Sequence, residues 1–193
     1  MSTSIVAAVA ARKREERDAR DARDPAGTIG RNRNRALVAL VMSALWGGAA
    51  IIVVTTVAPA AFKVLPTRSL AGALVGQVLP VLFLAGLFMG AAVFALTTRG
   101  APFALLRRIG AAGWIAGCAI AQVVIGPKIA ALRVTIGPSV DALPITDPLR
   151  IAFGRLHGLS VLSLGVAMIF ALLALVGALL ALRAVAAPRD AQA

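Results

Sequence analysis

The sequence predicts an all-α polytopic membrane protein: a four-transmembrane-helix bundle with a short interfacial helix before the second span. Three observations predict it. Of the 193 residues, 60% are hydrophobic and only 15% charged, which leaves too little polar surface for a water-soluble domain of this size. Residues 36–62, 69–98, 109–127 and 156–182 contain no Asp, Glu, Lys or Arg. At about 1.5 Å of rise per residue, each run has the length to cross a hydrocarbon layer about 30 Å thick. The runs also lack the sustained alternation of a membrane β-strand. A soluble single-domain enzyme is excluded on these grounds.

Residues 1–35 form a separate charged tail, partly helical or disordered. Signs alternate from Arg12 to Asp24, and the pairs Glu16 with Arg20 and Arg17 with Asp21 lie one helical turn apart, which favours a solvated helix. Asp24-Pro25-Ala26-Gly27 is read as its end. Arg31, Arg33 and Arg35 then stand where anionic lipid is within reach. The interleaved acids and the absence of aromatics argue against nucleic acid as a partner.

The transmembrane domain is expected over 36–185. The first span is placed at 36–62; a signal peptide cleaved near Ala58-Pro59-Ala60 is the competing reading, but the apolar run is longer than such peptides use. Gln77 and Pro80 divide the second run, so 69–78 is read as an interfacial piece and 79–98 as the second span. The third span is placed at 105–127, closing on Gly126-Pro127. Asp147 suits an N-cap and Pro148 a first helical position, which places the fourth span at 148–183. A short tail, 186–193, follows.

An even number of spans puts both termini on one side, with fourteen of the 20 Lys and Arg residues there and six on the other. By the excess of bases on cytoplasmic segments, both termini are expected in the cytoplasm and the chain in a bacterial-type inner or plasma membrane. The formal charge of +12 thus orients a bundle and needs no nucleic acid.

Chemistry-bearing residues are few. One Cys and one His exclude a disulfide scaffold, a Cys/His zinc cluster and a bis-His haem within one chain, and no cofactor or metal is expected. Asp141 and Asp147 share a loop, but Asp147 already serves as a cap. Ser160 and His157 lie three apart on one helix, a poor geometry for a nucleophile and its base. No catalytic residues are assigned, and the chain is not expected to be an enzyme.

Two patterns remain. Glycines recur four apart at Gly72/Gly76, Gly86/Gly90, Gly113/Gly117 and Gly154/Gly158, a spacing that lets helix backbones approach closely in lipid. Polar residues gather at the end opposite the termini: Lys63, Arg68, Gln77, Lys128, Arg155, His157 and Ser160, beside the helix-shaping Pro66, Pro80, Gly126, Pro127 and Gly158. They either anchor helix ends at the headgroups or line a cationic pocket for an anion or acidic headgroup.

The segment Ala61-Phe62-Lys63-Val64-Leu65-Pro66-Thr67-Arg68, the Gln77-Val78-Leu79-Pro80-Val81-Leu82-Phe83 element, Gly126-Pro127-Lys128 and Phe153-x-Arg155-Leu156-His157-Gly158-Leu159-Ser160 together resemble the signatures of the TMEM205-like family of small membrane proteins, also called the domain of unknown function DUF4149. The resemblance covers roughly 37–170 and implies four membrane helices without an assigned activity. The tail 1–35 lies outside the family pattern, and Leu156 stands where some members carry an aromatic. Three functions follow as expectations: a transport or membrane accessory protein with an anion-receptive pocket; a scaffold or assembly subunit binding itself or another membrane protein through glycine faces; and, last, a haem or metal redox protein using His157.

Overall fold

Among the described residues, helix accounts for nearly every element of the computed structural model, which describes residues 2–137 and 139–186. Helix α1 (Ser2–Arg23) is polar and carries an Arg12–Glu16 pair at 3.3 Å; the side chains of Arg17, Arg20 and Asp21 lie outside the described residues. Asp24 is a start as well as a stop. Its carboxylate accepts from Gly27 N at 2.9 Å, and Pro25 supplies the first residue of α2 (Pro25–Ile52). The first membrane helix therefore begins well before the apolar run, because a cap and a proline outweigh the polar residues that follow.

Four helices have the length and apolar composition to span a membrane: Gly27–Val64, Arg68–Leu96, Ala104–Ile136 and Pro148–Ala186. The first continues from α2 through a π-helical segment, Val53–Val57, into α3 (Ala58–Val64). The third runs from α5 (Ala104–Ala119) through a second π segment, Ile120–Ile125, into α6 (Gly126–Ile136). It extends nine residues past the end expected at 127. The reason is local: Pro59 and Pro127 each follow a π turn, in which Ala58 N bonds Val53 O and Gly126 N bonds Ala121 O. The wider turn accommodates a residue that has no N–H and whose ring crowds the preceding turn. Gly137, at φ 84° and ψ −156°, then ends α6 in a conformation that only glycine adopts readily; Pro138 lies outside the described residues.

The second span corrects a sequence expectation. There is no separate interfacial piece at 69–78: α4 (Arg68–Leu96) runs unbroken with Pro80 inside it. Thr67 caps it by accepting from Leu70 N at 3.2 Å. Membrane helices tolerate interior prolines; two turns before Pro80, Arg133 from α6 donates to Gly72 O at 3.0 Å. The fourth span is α7 (Pro148–Ala186), opened by Asp147, whose carboxylate accepts from Leu149 N at 2.7 Å. The tail residues 187–193 lie outside the described residues.

Side-chain contacts order the ends. Thr98 donates to Asn32 at 3.4 Å and Arg108 to Thr97 O at 3.1 Å, so the starts of α2 and α5 meet the end of α4. Arg133 joins the end of α6 to the start of α4. The bundle thus has a terminal end and a loop end. Its core sits nearer the former, where Ala39, Ala50, Ala111, Ala167, Ala171, Ala174 and Ala178 pack with Trp46, Trp114 and Cys118. The two indoles lie 5.0 Å apart, and Trp46 donates to Leu82 O at 2.9 Å. Toward the loop end only a small cluster, Ala61, Ala71 and Val75, continues the buried interior.

Candidate functional site

The loop end owes its shape to three polar side chains. Asp147 caps α7. Arg150, one turn further on, donates to Leu143 O at 2.6 Å and lies 3.6 Å from Asp141, which ties the loop back onto the helix. Both described acids of this end therefore have structural tasks.

Arg133 reaches from the last turn of α6 across to α4. Besides its bond to Gly72 O, its guanidinium lies 5.7 Å from the Phe153 ring centre, a cation–π distance. A Cβ on Gly76 would come within 3.1 Å of Arg133 Nη1. The Gly72/Gly76 pair is thus a cradle for an arginine rather than a seat for another helix backbone. Arg133 is one of the six bases expected at this end, but its seat against Gly72 and Gly76 was not read from the sequence, although a glycine pair at the polar end of a span was a usable signal.

The expected pocket residues do not close on one another. Lys63 ends α3, Arg68 begins α4, Gln77 lies further along it, Lys128 is in the first turn of α6, and Arg155 and His157 are on α7. All six are exposed, and no side-chain hydrogen bond or ion pair joins any two of them. His157 lies parallel to Phe153, with ring centres 6.3 Å apart and planes 4° apart. Ser160 alone of the set is buried. Pro66 lies in the turn between α3 and α4, Gly126 and Pro127 open α6, and Gly158 faces open space. The loop end thus carries a cationic rim: Lys63, Arg68, Lys128 and Arg155 are exposed and have no carboxylate partner among the described residues, while Asp141 lies beside Arg150 and Asp147 caps α7.

The model of a family described as a domain of unknown function (DUF4149) matches residues 40–137. That range contains the Lys63–Arg68 segment, Pro80 and Gly126-Pro127-Lys128; the His157-Gly158-Leu159-Ser160 element lies beyond it. No curated protein and no solved structure matches the chain.

Proposed function

The chain belongs to the DUF4149 family, whose domain has no assigned function, and from its own residues we propose that it is a non-catalytic membrane accessory protein that receives an anionic lipid headgroup or small anion at its loop end. The fit of a DUF4149 domain with four apolar helices makes it an integral membrane protein of unknown function. The observation that supports the finer reading is the unbalanced charge: four exposed bases and the half-buried Arg133 belong to the loop end, while both described acids of that end are engaged. Such a rim attracts anionic headgroups by about 1 kcal/mol per base near the surface. The Lys-x-Leu-Pro and His-Gly-Leu-Ser elements support the narrower TMEM205-like kinship as part of this proposal.

The test is a paired lipid titration. Phosphatidylglycerol added to the detergent-purified protein is expected to raise the thermal midpoint more than phosphatidylcholine does. The doubly substituted Lys63→Gln/Arg155→Gln protein, altered only at exposed positions, is expected to lose roughly 2 kcal/mol of that preference. An identical preference in both proteins would refute the reading.

A second reading rests on the glycines. Gly154, Gly158 and Gly165 on α7 have open space where a Cβ would stand, and a small-residue face in lipid favours helix docking. A second copy of the chain is the simplest occupant. Gly158→Ile should then abolish interchain cross-links captured in membranes, and unchanged cross-linking would remove the reading.

A further inference from the structure

Among the described residues, Arg107 is the only buried charged side chain, at 1% exposure. It stands in the first turn of α5, and its Nε and Nη2 have no hydrogen-bond partner. The fold makes room for it. A Cβ on Gly177 of α7 would come within 2.8 Å of Arg107 Cγ, so α7 gives up a side chain where the arginine stem passes. Neighbouring Arg108 is different: it donates to Thr97 O and lies 4.1 Å from the centre of the Phe94 ring.

The helix that carries Arg107 also begins without a cap. Phe103 precedes it in the left-handed region, at φ 53°, and no side chain bonds the first turn. Ala104 N is used by Ala101 O and Arg107 N by Phe103 O, which leaves the amides of Leu105 and Leu106 without a capping side chain. Side chains on a helix lean toward its N-terminus, the end at which these amides lie. Arg107 and these amides lie at the start of the third candidate span, Ala104–Ile136, and the ends of spans are where lipid headgroups are met.

A guanidinium taken out of water without a partner costs several kcal/mol, and an apolar residue of like volume avoids the cost. No described acid supplies the partner: Asp24 serves Gly27 and lies 3.5 Å from Arg31, and Asp141 and Asp147 are at the other end. A planar fork of N–H donors beside uncapped amides matches the oxygens of a phosphate. We propose that Arg107 and the first turn of α5 form a binding site for a phosphate-type oxyanion at the terminal end, supplied by a phospholipid headgroup or by free phosphate. This site is separate from the loop-end rim.

The experiment uses full-length protein, delipidated and held in a phosphate-free detergent, with inorganic phosphate and phosphatidylglycerol as probes in separate titrations of the thermal midpoint. The wild type is expected to respond, and so is Lys63→Gln/Arg155→Gln, to the extent carried by the terminal end. Introduced into the Lys63→Gln/Arg155→Gln protein, Arg107→Gln should bind the effective probe at least about tenfold more weakly, the equivalent of about 1.4 kcal/mol. Arg107→Met, made in the same background and filling the space with an apolar chain, should fold, lose the same response, and decide the matter where Arg107→Gln does not fold. A response to phosphatidylglycerol alone identifies the headgroup as the source; a response to both probes shows that free phosphate also reaches the site. No response of the wild type to either probe, or an undiminished response of Arg107→Met, overturns the proposal.

Discussion

At the scale of single residues, substitution can read one strained backbone position and one buried hydrogen bond. Phe103 is the only described non-glycine residue with positive φ, a conformation that costs a residue with a Cβ about 1–2 kcal/mol. Asn tolerates it better, so Phe103→Asn should raise the thermal midpoint; a lower midpoint would mean that the ring's contacts outweigh the backbone. Trp46 gives up its bond to Leu82 O in Trp46→Phe, and the expected loss is about 1 kcal/mol in a denaturant titration. Trp46 and Trp114 fall within the first and third expected spans, but their contact is not legible from the sequence, because it depends on Gly86 leaving space beside Trp46 and Cys118. Arg107 is misread for a related reason. Counting bases by segment treats every arginine near a helix end as a marker of sidedness, and burial becomes visible only when α7 is brought against α5.

At the scale of elements, the glycine pairs divide into kinds that their shared spacing hides. Gly110, Gly113 and Gly117 lie on the face of α5 that meets α7; a Cβ on Gly110 would come within 2.5 Å of Ala174 N. Backbone cannot step aside as a flexible side chain can. Gly110→Ala should therefore cost about 3 kcal/mol, whereas Gly158→Ala, with open space around it, should leave stability unchanged or slightly raised by better helix propensity. Equal effects in a thermal melt would mean that the seam between α5 and α7 does not govern stability. The four spans are legible from uninterrupted apolar length, and the start of α7 from Asp147-Pro148. The division of the second run at Pro80 and the closure of the third at Pro127 fail for one reason. A proline read locally looks like a break, but a membrane helix can carry one in its interior, as α4 does at Pro80, or precede it with a π turn, as at Pro127.

At the scale of the whole molecule, the pairing of ends makes a prediction about access. Gly100→Cys lies at the terminal end and Ile145→Cys at the loop end, while native Cys118 is fully buried. In sealed vesicles a membrane-impermeant maleimide should label one of these introduced cysteines and not the other, and the excess of bases predicts that position 100 faces the cytoplasm. Labelling of both from one side would contradict the arrangement. The gathering of polar residues at one end is legible from this topology. Their exposure is not, because composition places a residue along a span without fixing the direction it faces. That direction depends on winding. Each π segment inserts an offset of roughly 100° in a helix of 3.6 residues per turn, so the stretches of α3 and α6 beyond Pro59 and Pro127 follow a different phase from the stretches before them. Deleting one residue within 53–57 would swing Lys63 about a quarter-turn around its axis, making those two wide turns the dials that set where the basic rim points.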